Sequence, residues 1–247
     1  MARQIGLMQL EGTIGNMTFY KSKDGYFARQ KAASKTNNSD RTRENMNEFA
    51  RAVKAGKMIR TAFATIIRDV KDSYITRRLN QSLNQVVKTD TLSARGMRNI
   101  IEGDISLLQG FEFNSDMALS SALLAPYTTE INRTTGTLKV GIAPFVPAKL
   151  ISAPEGATHY RFTIAGAMVN FLNGDQVTAM KASDVLPLAN QEAAPLSLEV
   201  QVPAASTGAL MLALGLSFFQ EVNGVHYPVG ELLNNALALV AVAGPEK

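Results

Sequence analysis

Leu210-Met211-Leu212-Ala213-Leu214-Gly215-Leu216-Ser217-Phe218 alternates at period two over its whole length. The even positions carry leucine and phenylalanine, and the odd positions carry Met211 and the small Ala213, Gly215 and Ser217. That period belongs to a β-strand, with the large side chains on one face. The small residues on the second face let something pack closely there. A tightly covered sheet and a subunit contact both fit that description.

Shorter rows surround this one. Leu138, Val140 and Ile142 alternate, as do Tyr160, Phe162 and Ile164, Leu196, Leu198, Val200 and Val202, and finally Leu237, Leu239 and Ala241. Turn signals separate them at Thr134-Thr135-Gly136, Pro154-Glu155-Gly156, Asn173-Gly174-Asp175, Ser206-Thr207-Gly208 and Asn223-Gly224. Many strands at short intervals with such turns predict an antiparallel β-sandwich. No charged residue occurs from Ala204 to Leu216 or from Leu232 to Gly244. Uncharged strands of that length are protected centre strands, or a partner covers them. Leu212, Leu214, Leu237 and Leu239 are therefore candidate assembly positions.

Ahead of the sandwich the pattern differs. Phe19, Tyr20, Tyr26 and Phe27 flank Lys21-Ser22-Lys23-Asp24-Gly25, and Asp24-Gly25 predicts a two-residue type I′ hairpin turn. Gly12-Thr13-Ile14-Gly15-Asn16 predicts an earlier turn, with Ile5–Leu10 as a further strand. Residues 32–40 read as a polar linker ending in the helix-capping pair Ser39-Asp40. From Arg41, apolar residues at Met46, Phe49, Val53, Ile59, Phe63, Ile66 and Val70 predict one amphipathic helix, bent at Gly56. A second helix is expected over 73–87 with Ile75, Leu79, Leu83 and Val86 inward, and a short third over 94–101.

The predicted class is α+β: an N-terminal β-hairpin arm over 1–33, a basic helical segment over 34–104, and an acidic antiparallel β-sandwich over 105–247. Charge follows the same division. Residues 1–98 carry 19 basic and 8 acidic side chains, net +11, whereas residues 99–247 carry 6 and 13, net −7. Opposed charges on one chain suit head-to-tail recognition between copies.

Gly12-Thr13-Ile14-Gly15-Asn16-Met17-Thr18-Phe19-Tyr20-Lys21, then Asp24-Gly25 and Ala28-Arg29-Gln30-Lys31, resembles a group of uncharacterised proteins in Bacteroidota genomes. So does Arg41-Thr42-Arg43-Glu44-Asn45 with Glu48-Phe49 and Ala55-Gly56-Lys57. The resemblance covers the first quarter of the chain. It implies that the hairpin and the arginine-rich helix start form one module, and it implies no activity.

Catalytic signals are few. Cysteine is absent, which removes thiolate chemistry and Cys-based metal sites. The only two histidines, His159 and His226, sit in separate predicted strands beside Tyr160 and Tyr227 and read as half-exposed structural residues. With the histidines apart and carboxylates scattered singly, neither a metal site nor a cofactor site is expected. No serine stands in a nucleophile elbow, and the Gly12–Asn16 loop lacks the Gly-Lys-Ser/Thr ending of a phosphate loop. A non-enzymatic role is expected.

Two such roles remain. Phe19, Tyr20, Lys21, Lys23, Tyr26, Phe27, Arg29 and Lys31 interleave rings and cations as a base-stacking surface does, and Arg41, Arg43, Arg51, Lys54, Lys57, Arg60 and Arg68 add a basic helix. Nucleic acid is one possible partner. The favoured reading is homo-oligomeric self-assembly into a filament, tube or virion-like shell. In it, residues 1–31 dock on a neighbouring copy by strand exchange or by charge. No apolar run is long enough for a transmembrane helix, and the start has no apolar signal-peptide core. A cytoplasmic or particle-associated location is expected.

Overall fold

The computed structural model describes residues 2–6, 8–31, 39–70, 72–230 and 234–246. Residues 32–38 of the expected linker, and Leu232 at the start of the second uncharged run, lie outside these. The fold is α+β, with antiparallel pairing throughout the described sheets. The chain forms two compact units, residues 1–42 and 43–247.

The first unit holds β1 (Ala2–Arg3), β2 (Gly12–Ile14), β3 (Met17–Ser22) and β4 (Gly25–Gln30), in the order β1-β4-β3-β2. The expected hairpin is β3–β4, at the centre of a four-stranded sheet. Its turn is placed one residue earlier than predicted: Ser22 pairs with Gly25, so Lys23 and Asp24 form the loop. Gly25 alone takes positive φ, at 118°. A type I′ turn would put Asp24 there as well, and glycine carries that conformation without a Cβ penalty. The strand expected over Ile5–Leu10 is not formed by its described residues, and Ala2–Arg3 pairs with β4 instead. Ser39 caps the following helix as expected, its Oγ accepting from the Thr42 N–H at 3.3 Å.

Three helices follow: α1 (Asp40–Ala62), α2 (Ala64–Ile67) and α3 (Ile75–Lys88). The interruption falls at Phe63, and Gly56 lies within α1. A Cβ at Gly56 would stand 2.4 Å from Asn80 Oδ1, so this glycine admits α3 to close contact. The buried stripe of α1 also differs from expectation. Ala52, Ala55, Gly56 and Ile59 point inward, while Met46 and Phe49 are exposed and Val53 is half-buried. At Gly56 the close approach of α3 leaves no room for a side chain. In α3, Leu79, Leu83 and Val86 are fully buried, as predicted.

No helix forms over 94–101. Asp90 Oδ1 accepts from the Leu92 and Ser93 N–H groups, both at 2.9 Å, and Asp90 Oδ2 accepts from the Asn99 N–H at 3.0 Å. Asn99 Oδ1 in turn accepts from Ile101 and Glu102. These side-chain bonds satisfy the backbone in turns, in competition with a helix. Two short helices follow, α4 (Leu119–Ala122) ahead of the next strand and α5 (Pro147–Leu150) between two later ones.

The remaining strands are β5 (Tyr127–Asn132), β6 (Thr137–Ile142), β7 (His159–Val169), β8 (Gln176–Ala182), β9 (Leu186–Pro187), β10 (Leu196–Gln201), β11 (Ala209–Val222), β12 (Val225–Pro228) and β13 (Ala236–Ala243). They make a three-stranded sheet, β10-β6-β5, and a six-stranded sheet centred on the β11–β7 pair. One edge of β11 pairs with β13 and then β12; the far edge of β7 pairs with β8 and β9.

The two sheets face one another across a core of Leu138, Val140, Leu198 and Val200 against Phe162, Ile164, Leu212 and Leu214. On the other face of the large sheet, Ala165, Ala167, Met211 and Ala213 pack with Ile59, Phe63, Ile66, Leu79 and Leu83 of the helical segment. The small face of the Leu210 row is thus a tightly covered sheet. The change of composition near residue 104 is a change of layer inside one unit, because helices and large sheet share a core. A bulge at Val240, between the Leu239–Ala213 and Ala241–Leu212 pairs, also splits the last row: Leu237 and Leu239 face the helices, and Ala241 packs with the sandwich core.

Candidate functional site

The pleat divides the N-terminal surface in two. Ile14, Met17, Phe19, Lys21, Tyr26 and Ala28 share one face of the sheet, while Thr18, Tyr20, Phe27 and Arg29 share the other. On the first, the Lys21 ammonium stands 5.5 Å from the Tyr26 ring centre. On the second, the Tyr20 and Phe27 rings stack 6.0 Å apart, and the Arg29 guanidinium lies 5.7 Å from the Tyr20 centre. Lys23 sits in the turn and Lys31 just past β4. Arg41 and Arg43 are exposed in the first turn of α1. The positions expected to form one surface are therefore spread over two faces, a turn and a helix start. Lys21 and Arg29 are engaged by rings of the same sheet.

Apolar exposure on this unit is large. Ile5 is 89% exposed, Met8 84% and Ile14 64%, and Ala28 is the only buried residue among the unit's described ones.

Of the expected basic helix, Lys54, Lys57 and Arg68 are exposed. Arg51 instead donates to the Gly96 and Arg98 carbonyls at 2.8 and 3.0 Å, and Arg60 to Thr76 Oγ1 at 2.8 Å. These two hold loops and neighbouring helices. The alternative assembly positions are corrected outright. Leu212, Leu214, Leu237 and Leu239 are each at most 1% exposed, inside the two cores, and present no surface.

The histidines, expected apart, lie side by side. Asn223 and Gly224 take positive φ, at 52° and 77°, and this tight turn sets Glu221 of β11 opposite His226 of β12. His159, the first residue of β7, pairs with Phe219, two residues before Glu221 on the same face. The His159 and His226 ring centres are 4.6 Å apart, and His159 Nε2 is 3.4 Å from Glu221 Oε2. One ligand-type atom from each of the three residues falls within 4.8 Å of the others. The Asn-Gly turn places Glu221 against His226 in any reading of the sequence. The third member depends on the β7–β11 register, which nothing local encodes.

Behind the cluster, Thr158 Oγ1 accepts from the Glu221 N–H at 2.8 Å and lies 2.9 Å from His159 Nδ1. Arg161, one row inward on the same face, lies over the Phe219 ring at 5.0 Å. Tyr160 points the other way, into the sandwich core. Burial pushes its phenol up to about 12, so it stays protonated.

Comparison with known proteins gives no match to a family model or to a curated protein.

Proposed function

We propose that this protein is a non-enzymatic structural protein that assembles with copies of itself through heterologous contacts, the sheet of residues 2–30 docking on a neighbouring copy. The observation that carries this reading is the want of a core among the N-terminal unit's described residues: one buried alanine beneath six-residue strands and several exposed large apolar side chains. A unit of this size cannot bury enough surface to stand alone. Cover by a second copy supplies the missing burial.

Charge supports the choice of occupant. Lys21, Lys23, Arg29 and Lys31 are exposed on the basic unit, and Glu130, Glu155, Asp175, Glu192 and Glu199 are exposed on the acidic part of the chain. Such a contact joins different surfaces, so it closes as a ring or propagates as a filament. Strand exchange would use the short outer strands β1 and β2, since β3 and β4 are central.

Removal of residues 1–31 tests the reading. The shortened protein is expected to keep the sheet-and-helix unit and its cooperative unfolding while losing the ability to associate. If it forms the same particles as the full chain, the docking role of this sheet is wrong.

A further inference from the structure

We propose that His159, Glu221 and His226 form a binding site for a single divalent transition-metal ion of the zinc class. Two imidazole nitrogens and one carboxylate oxygen are a donor set that zinc accepts, and three protein ligands leave a position for water. Zinc–nitrogen and zinc–oxygen bonds of about 2.0–2.2 Å put neighbouring donor atoms a little over 3 Å apart in a tetrahedral shell. His159 Nε2 and Glu221 Oε2, at 3.4 Å, already stand at that separation. His226 has to close from within 4.8 Å, a rotamer-scale adjustment for an exposed side chain at a hairpin end.

The surroundings offer one ligand a partner from behind. With a metal on Nε2, the His159 proton would sit on Nδ1 and donate to Thr158 Oγ1, 2.9 Å away. Thr158 Oγ1 accepts the Glu221 N–H as well, and its own hydroxyl proton points toward the Phe219 carbonyl at 3.5 Å. One hydroxyl thereby orients a histidine ring and fixes the backbone of the carboxylate ligand, the arrangement that tunes metal sites from behind. Thr158 is a positioning residue here. The nearby cation, Arg161, is drawn over Phe219 and leaves Glu221 to balance the ion.

Bound metal would fasten the β11–β12 hairpin to the start of β7. This site is independent of the N-terminal sheet and of the assembly proposed above.

The chain contains only these two histidines and no cysteine, so imidazole binding can be assigned without competition once any purification tag is removed. Calorimetric titration of the untagged full chain with zinc should give one ion per chain and a thermal midpoint that rises with zinc. His226→Ala and Glu221→Gln, both at exposed positions, should keep the metal-free midpoint and lower affinity by at least about tenfold; Thr158→Val should lower it about 10–100-fold. Cobalt should give a visible spectrum in the parent that His226→Ala loses. No binding at millimolar zinc, or equal affinity in the parent and His226→Ala, overturns the proposal.

Discussion

The Asn235 side-chain amide donates to the Asp69 carbonyl at 2.8 Å, joining the turn after α2 to the residue just before β13. The same side chain accepts from the Phe218 N–H at 3.3 Å, and its backbone carbonyl accepts from Asn114 Nδ2 at 2.8 Å. One buried asparagine thus ties the helical layer and the large sheet through its side chain, and the segment at Asn114 through its backbone. Asn235→Ala removes the partner of the buried Phe218 N–H and of the part-buried Asp69 carbonyl, and is expected to destabilise the protein by about 2–3 kcal/mol. Urea unfolding should show this as a lower midpoint in a single transition.

The helical layer offers a second test. Ala55 is buried in the core between the helices and the large sheet, whereas Phe49, six positions earlier on α1, is half exposed. Ala55→Leu should therefore cost about 1–3 kcal/mol through overpacking. Phe49→Ser should stay within about 0.5 kcal/mol in dilute, dissociated protein. The opposite ranking would restore the stripe of large apolar residues as the buried face.

That contrast marks what the sequence conveys. Period-two rows specify which β11 side chains face the sandwich, because burial of one face fixes strand register. The face of α1 is less legible, since α3 comes close at Gly56 and the buried stripe runs through the small Ala52, Ala55 and Gly56 while Phe49 is exposed. The bulge in β13 reverses the alternation at Ala241 without a local signal. On the N-terminal sheet the aromatic and basic residues are plain in the sequence, but the pleat sends Lys21 and Arg29 to opposite faces. The meeting of His159 with Glu221 and His226 rests on long-range register alone.

Acid should weaken the loop after α3. Burial by itself raises Asp90, but the Ser93, Asn99 and Leu92 hydrogen bonds outweigh it and hold the carboxyl below its ordinary value of 3.8. Asp72 is likewise held low: burial raises it, and Tyr74, Arg78 and Ser115 together more than reverse this. Folded values below unfolded ones mean that this stabilisation is complete above the ordinary aspartate range. It is lost as pH falls through the folded values. Stability measured downward from pH 5 should fall, and Asp90→Asn should flatten the part of the fall due to Asp90. An unchanged slope in that variant would refute the assignment.

The cations of the N-terminal sheet separate assembly from nucleic-acid binding. A protein that used them on phosphates would copurify with nucleic acid and bind single strands with a steep salt dependence. Here the purified protein is expected to show the 260/280 nm absorbance ratio of protein alone. Replacing Lys21, Lys23, Arg29 and Lys31 by serine should weaken self-association. A high, nuclease-sensitive ratio that the replacement abolishes would favour nucleic acid.

The full chain is expected to meet copies of itself in solution. Light scattering on the untagged protein at micromolar concentration and physiological salt reads this directly. The expected result is a particle mass several times the 26.7 kDa of one chain, falling on dilution. A constant 26.7 kDa across the concentration range would contradict it.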